Sequence, residues 1–154
     1  MTESNKIKNI GNIMNWFIYA SVGSFLVALL HIIIVFFLGA EGYRTFGAGE
    51  EFAIATEQGS FVPHLITLGI TLVFIVFGFY ALSGNQFIKP LPFLKWGLIG
   101  IASIFTIRGI AGIPMYFLMS YEAPLMLWSS LVSLSIGVFH ILGIHKNWNF
   151  LEKL

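Results

Sequence analysis

Four ionisable residues lie in stretches otherwise suited only to lipid: His31, His64, Arg108 and His140. The most demanding is Arg108, within TIRGIAGIP (106–114). A guanidinium does not shed its proton, and a charge at the centre of a bilayer costs at least about 2.5–3.5 kcal/mol on insertion scales. Arg108 therefore needs a partner, a hydrated cavity, or both. A fixed cation of this shape favours a carboxylate, a phosphate or a quinone oxygen. Histidines at a similar depth can hold a ligand or pass a proton. His31 and His64 could also hold haem, or a metal together with a glutamate. They stand far apart in the chain, however, with no HxxxH or HExxH spacing. The spacing thus assigns no metal ligand and leaves the cofactor unknown.

Elements must exist to carry these groups, and composition restricts them. Of 154 residues, 57% are hydrophobic and 10% charged, against about 25% charged in soluble domains. The chain belongs to the membrane class and has the length of a single domain, 1–154. A net charge of +1 offers no field for nucleic acid. The absence of cysteine removes disulfides, thiolate metal sites and iron–sulfur clusters. A nucleophile elbow, a phosphate loop and a paired intramembrane carboxylate are all missing, so no signature of an enzyme is present. A selectivity filter is missing too.

Four apolar runs approach or exceed the roughly 20 residues that a spanning helix needs: 16–38, 61–82, 93–118 and 124–144. They predict an all-α four-helix bundle. The first run is too long for a signal-peptide core of about 7–15 residues and reads as a retained anchor. Pro63 and Pro124 suit helix starts, whereas Pro114 predicts a kink inside the third run. Lys6, Lys8, Lys89, Lys95, Lys146 and Lys153 all fall on one side of these spans. Five of the seven acids fall on the other. Both termini are therefore expected in the cytoplasm of a multi-pass inner-membrane protein. The long first connection, 39–60, should then lie outside and contain a short capping helix. Glu50 and Glu51 would occupy its first turn, Gly59 would stop it, and Ala48, Phe52 and Ala55 would form its apolar edge. Ile7, Ile10 and Met14 suggest a short interfacial helix before the first span.

Each span carries a small or polar stripe: Ser21, Ser24, Ala28 and His31; His64, Thr67, Thr71 and Gly78; Phe105, Arg108, Gly112 and Met115; Ser129, Ser133, Gly137 and His140. Stripes of this kind commonly serve helix packing. Depth separates the ionisable groups further. His31 and His64 share the outer half with Arg108, while His140 lies towards the opposite end and reads as a hydrogen-bonded structural residue. The expectation is a polar pocket opening outward, with Arg108 as its floor and His31 and His64 as walls. Glu50 and Glu51 are the counter-charge candidates in its lid, with Tyr116 and Trp128 on the same side.

The strings HIIIVFFLGAEGYRTFGAGEEFA (31–53), YALSG (80–84), LPFLKWGL (91–98), IRG (107–109) and LWSSLVSLSIGVFHILG (127–143) resemble a group of small bacterial inner-membrane proteins of uncharacterised function. In size and span number alone the chain is also similar to DoxX-like proteins. The resemblance implies a bacterial four-span protein and brings no activity with it. Residue chemistry therefore carries the functional expectation: a membrane protein that binds or moves a small polar or anionic molecule. The alternatives are a quinone- or haem-linked redox accessory protein and a structural subunit. The lipid bilayer and a second copy of the chain are the other expected partners.

Overall fold

The computed structural model describes residues 16–118 and 125–154. The segment holding Ile7, Ile10 and Met14, and the loop holding Pro124, lie outside the described residues. The chain is all α, with no strand among the described residues. Helix α1 covers Trp16–Ile33 and passes through one wide π-helical turn, Ile34–Leu38, into α2, Gly39–Phe46. The remaining helices are α3 (Glu50–Glu57), α4 (Val62–Gly84), α5 (Leu94–Leu118), α6 (Met126–Lys146) and α7 (Trp148–Leu151). Four helices are long and apolar enough to cross a membrane, the first running continuously from Trp16 to Phe46.

The local sequence accounts for the helix ends. Pro63 sits in the first turn of α4, where its missing N–H costs nothing. Gly47 takes a left-handed φ of 76° after α2, and its N–H returns to the Arg44 carbonyl. A residue with a Cβ would strain there, and helices commonly stop on such a glycine. At the end of α6 the Asn147 side chain donates to the Gly143 carbonyl at 2.8 Å, satisfying one of the last acceptors. Helix α5 runs on through Pro114 to Leu118.

One segment differs from the sequence reading. Residues 39–46 were expected to be connection, because GAEGYRTF carries two glycines and two charges. They form helix α2 instead, and bury Tyr43 against Ile34 and Ala53. The capping helix falls at 50–57 as expected, but Ala53 is its buried residue.

The spans pack as two pairs, α1 with α4 and α5 with α6. Both pairs use glycines as seats. A Cβ on Gly78 would strike the Phe25 ring, and one on Gly109 would meet the Leu134 backbone at 2.7–2.8 Å. Close approach of this kind is how helices gain packing energy where lipid supplies no hydrophobic drive. The two pairs meet from mid-depth down to the end carrying the α4–α5 loop. Phe17 packs on Gly84 and Gly143, Tyr80 on Gly97, Ile136 on Gly23, and Phe105 against Phe74 and Phe77. At the opposite end α2 and α3 form a cap over the bundle. A hydrogen bond from the Leu125 N–H to the Thr45 carbonyl, 3.1 Å, ties this cap to the start of α6.

Candidate functional site

Above the Phe74–Phe105 contact the two helix pairs enclose a cavity of about 480 Å³. All four spans line it, and Tyr43, Phe46, Ala48 and Phe52 of the cap roof it. His31, Arg108 and Trp128 are on its wall. Of the expected set of Arg108, His31 and His64, the lining holds the first two and not His64.

Arg108 reaches across to α6. Its Nη1 donates to the Ser130 hydroxyl at 3.0 Å and its Nη2 to the Ser129 hydroxyl at 3.3 Å. Both serines donate their own protons to the Met126 carbonyl, at 2.7 and 2.9 Å, which leaves hydroxyl lone pairs to accept from the guanidinium. Gly112 makes the approach possible, because a Cβ there would collide with Ser130 Oγ and Arg108 Nη1. Among the described residues no carboxylate lies within ion-pair distance of Arg108. Among the described residues the cation is held by neutral dipoles alone, and it stands exposed at the cavity wall.

His31 is fixed from its own helix. Its Nδ1 donates to the Val27 carbonyl at 2.8 Å, and the Phe74 ring packs at 5.1 Å. That bond selects the tautomer with a bare Nε2 lone pair on the ring edge away from the helix. The wall thus carries a donor fork and an acceptor.

His64 stands behind the wall. Its Nδ1 is hydrogen-bonded to the Tyr43 hydroxyl at 2.8 Å, and Thr67 Oγ1 lies 3.3 Å from the same oxygen. Tyr43 is buried and lines the cavity, so the histidine acts on it through this residue. His31 and His64 do not share the cavity as a facing pair, and the residues present do not form a two-histidine haem cradle. No group of three His, Cys, Asp or Glu side chains able to hold a metal occurs among the described residues.

The acidic residues lie elsewhere than expected. Arg44 Nε and Nη2 grip both Glu50 oxygens at 2.8–3.0 Å, while Nη1 and Nη2 bond Glu57 at 2.6 and 3.1 Å. These hydrogen bonds hold the carboxyls of Glu50 and Glu57 below the usual glutamate range. Glu50 is thus the partner of Arg44, and it clasps α3 to α2 across the cap. Glu51 is exposed and takes part in neither ion pair. Tyr116 packs on its neighbour Phe117 and is not on the cavity wall.

The wall also differs from the expected polar pocket. Thirteen of its eighteen residues are hydrophobic, leaving His31, Thr67, Arg108, Ser129 and Ser133 as the polar members. Sequence reasoning missed Tyr43 and Ser130. Neither had a helical stripe to mark it, since Tyr43 lay in presumed connection and Ser130 beside a stripe drawn through Ser129. His140 is fully buried between Phe105, stacked at 5.8 Å, and the edge of Phe17 at 6.4 Å.

Fold and site together define an all-α, four-span bundle of membrane type with one capped, cation-bearing cavity. No family model, curated protein or solved structure matches the chain. The likeness to small bacterial inner-membrane proteins therefore rests on the quoted strings alone.

Proposed function

We propose that this protein binds a small anionic or strongly polar molecule in the capped cavity, with Arg108 as the recognition residue. The supporting observation is a guanidinium that lines a cavity of about 480 Å³ and has, among the described residues, only serine hydroxyls as partners. The volume falls within the range of about 300–1,000 Å³ typical of small-molecule sites. A ligand oxyanion would gain charge-assisted hydrogen bonds from Nη1 and Nη2, and His31 Nε2 would accept from a protonated or hydroxylated part of the same molecule. Tyr43, oriented by His64, would supply the polar contact in the roof. Whether the molecule is held or carried across the bilayer is a second step of the same reading, and the bilayer the chain is meant for is the bacterial inner membrane, with both termini cytoplasmic.

The test is direct binding by purified protein against a panel of carboxylates and phosphate esters. Arg108→Gln should weaken affinity by about tenfold or more, the worth of a charge-assisted hydrogen bond. Arg108→Lys, which keeps the charge and loses the fork, should recover only part of it. Binding that is indifferent to both substitutions would remove Arg108 from the site. A second reading is favoured by the aromatic and aliphatic walls: a quinone head, with Arg108 and His31 at its oxygens. That reading predicts displacement by neutral quinones and a bound quinone extracted with the native protein.

A further inference from the structure

The cavity has a closed roof and an open side. The roof is fastened twice, by the Arg44 clasp from α2 to α3 and by the Leu125–Thr45 bond to α6. Below it the helix pairs α1/α4 and α5/α6 stand apart, since the contacts joining them run from the Phe74–Phe105 floor towards the opposite end. Four lining residues show how the gap is dressed. Ile70 is 40% exposed, Ile104 52%, Val132 50% and Trp128 65%. They lie on three different spanning helices, Ile70, Ile104 and Val132 well inside the apolar stretches and Trp128 in the first turn of α6. A route from water would instead call for a polar rim and an unfastened cap.

From this we infer that the ligand reaches the cavity sideways from the bilayer, through the seam between the two helix pairs, and is a single-chain amphiphile with an acidic head. The inference rests on the reading that Arg108 binds a ligand in this cavity, and adds the ligand's class and its route. Charge complementarity fixes the head: the guanidinium, which has no acidic partner among the described residues, takes a carboxylate, and Ser129 and Ser130 hold the fork in place for it. The hydrophobic wall fixes the remainder, because a small hydrophilic anion would leave most of that wall facing water or void. A chain leaving through an apolar seam continues into lipid without exposing any polar group. The cost of carrying Arg108 on a spanning helix is then offset by its ligand, a lipid-derived acid already concentrated in the membrane.

Trp128 on the wall supplies the readout, because Trp16, Trp96 and Trp148 belong to the opposite half and can be replaced by Phe. The single-tryptophan protein is reconstituted in phosphatidylcholine vesicles and titrated with stearate brominated at mid-chain, a contact quencher of indole. Saturable quenching of Trp128 is expected. Its half-saturation should rise about tenfold or more in Arg108→Gln, with Arg108→Lys in between. Butyrate, which shares the head but stays in water, should not compete. Ile104→Phe, which narrows the seam, should slow association in stopped flow. If butyrate or inorganic phosphate binds in an Arg108-dependent manner and stearate does not, the lateral route and the ligand class are wrong while the binding role of Arg108 stands. If the folded protein, checked by circular dichroism, shows no Arg108-dependent binding of stearate, butyrate or phosphate, both readings fall. Displacement by stearyl alcohol or a neutral quinone as effective as by stearate overturns the acidic head.

Discussion

Arg108 and Ser130 meet at 3.0 Å only because residue 112, one turn beyond the arginine on α5, has no side chain. The same helix face places Gly109 against the backbone of Leu134. Packing and charge placement are therefore one design in this part of the molecule, since the closeness of α5 to α6 is what brings the α6 hydroxyls within reach of the guanidinium.

Glycine substitutions along α5 should separate by what the new Cβ meets. At Gly109 it meets backbone, which cannot yield, so Gly109→Ala should cost about 1–3 kcal/mol through overpacking. Gly112→Ala should cost less if the ends of Ser130 and Arg108 shift, and should weaken ligand binding more than it lowers stability. Gly100 has nothing within 4 Å of the added atom, and its Ala variant should be neutral or slightly stabilising on helix propensity. Thermal unfolding in detergent ranks the three. Equal losses at Gly100 and Gly109 would contradict the close α5–α6 approach.

Tyr43→Phe removes the only hydroxyl bonded to His64 Nδ1 among the described residues. A loss of about 0.5–1.5 kcal/mol is expected, as for an ordinary buried hydrogen bond. In a double-mutant cycle with His64→Phe the coupling should account for most of that loss. Additive effects would mean that the two side chains do not cooperate in the folded protein.

The Arg44 clasp has a defined pH response. Hydrogen bonds from Arg44 lower the carboxyl pKa of Glu50 and Glu57 on folding. The unfolded chain therefore binds more protons near the ordinary glutamate pKa of about 4.3, and stability rises with pH through that region. The contribution is complete above the unfolded value and disappears as pH falls through the lower folded one. Peptic digestion of α3 in mildly acidic and strongly acidic buffer should show the cap loosening only in the second. Arg44→Gln should be equally loose in both; a wild-type cap that stays protected in strong acid would show that the clasp does not hold it.

His140 Nε2 is buried with no hydrogen-bond partner among the described residues, while Nδ1 donates to the Ile136 carbonyl at 2.9 Å. An unsatisfied buried polar atom costs about 1–3 kcal/mol, and Phe has the right shape to stack on Phe105. His140→Phe should therefore match or exceed the wild type in stability. A clear loss of stability would show that Nε2 has a partner.

The direction of the chain in the bilayer is checked independently. Cysteines introduced by Gln58→Cys and Phe87→Cys, both at exposed positions at opposite ends of the bundle, should react with impermeant maleimide from outside and inside respectively. The reverse pattern would turn the cap towards the cytoplasm.

Apolar runs determined three of the four spans to within two residues, because the length of an uninterrupted hydrophobic helix is a local property of the sequence. The first helix instead continues eight residues past its expected end at 38. The runs also marked His31, His64, Arg108 and His140 as groups without a reason to be in lipid. Depth counting put the first three in one half of the bundle, although only His31 and Arg108 line the cavity. Side-chain partnership was not legible in this way. Glu50 was matched to Arg108 by sign alone, whereas Arg44, six residues away and carried on a helix that the glycines disguised, grips it at 2.8–3.0 Å. Ser130 escaped because a stripe drawn at 3.6 residues per turn has two edges, and only the neighbouring helix decides which edge is used. The shape of the cavity was equally hidden. Its floor, roof and open side depend on two helix pairs that touch through glycines at one end and part at the other, and that is a relation between distant segments which no periodicity within a single segment encodes.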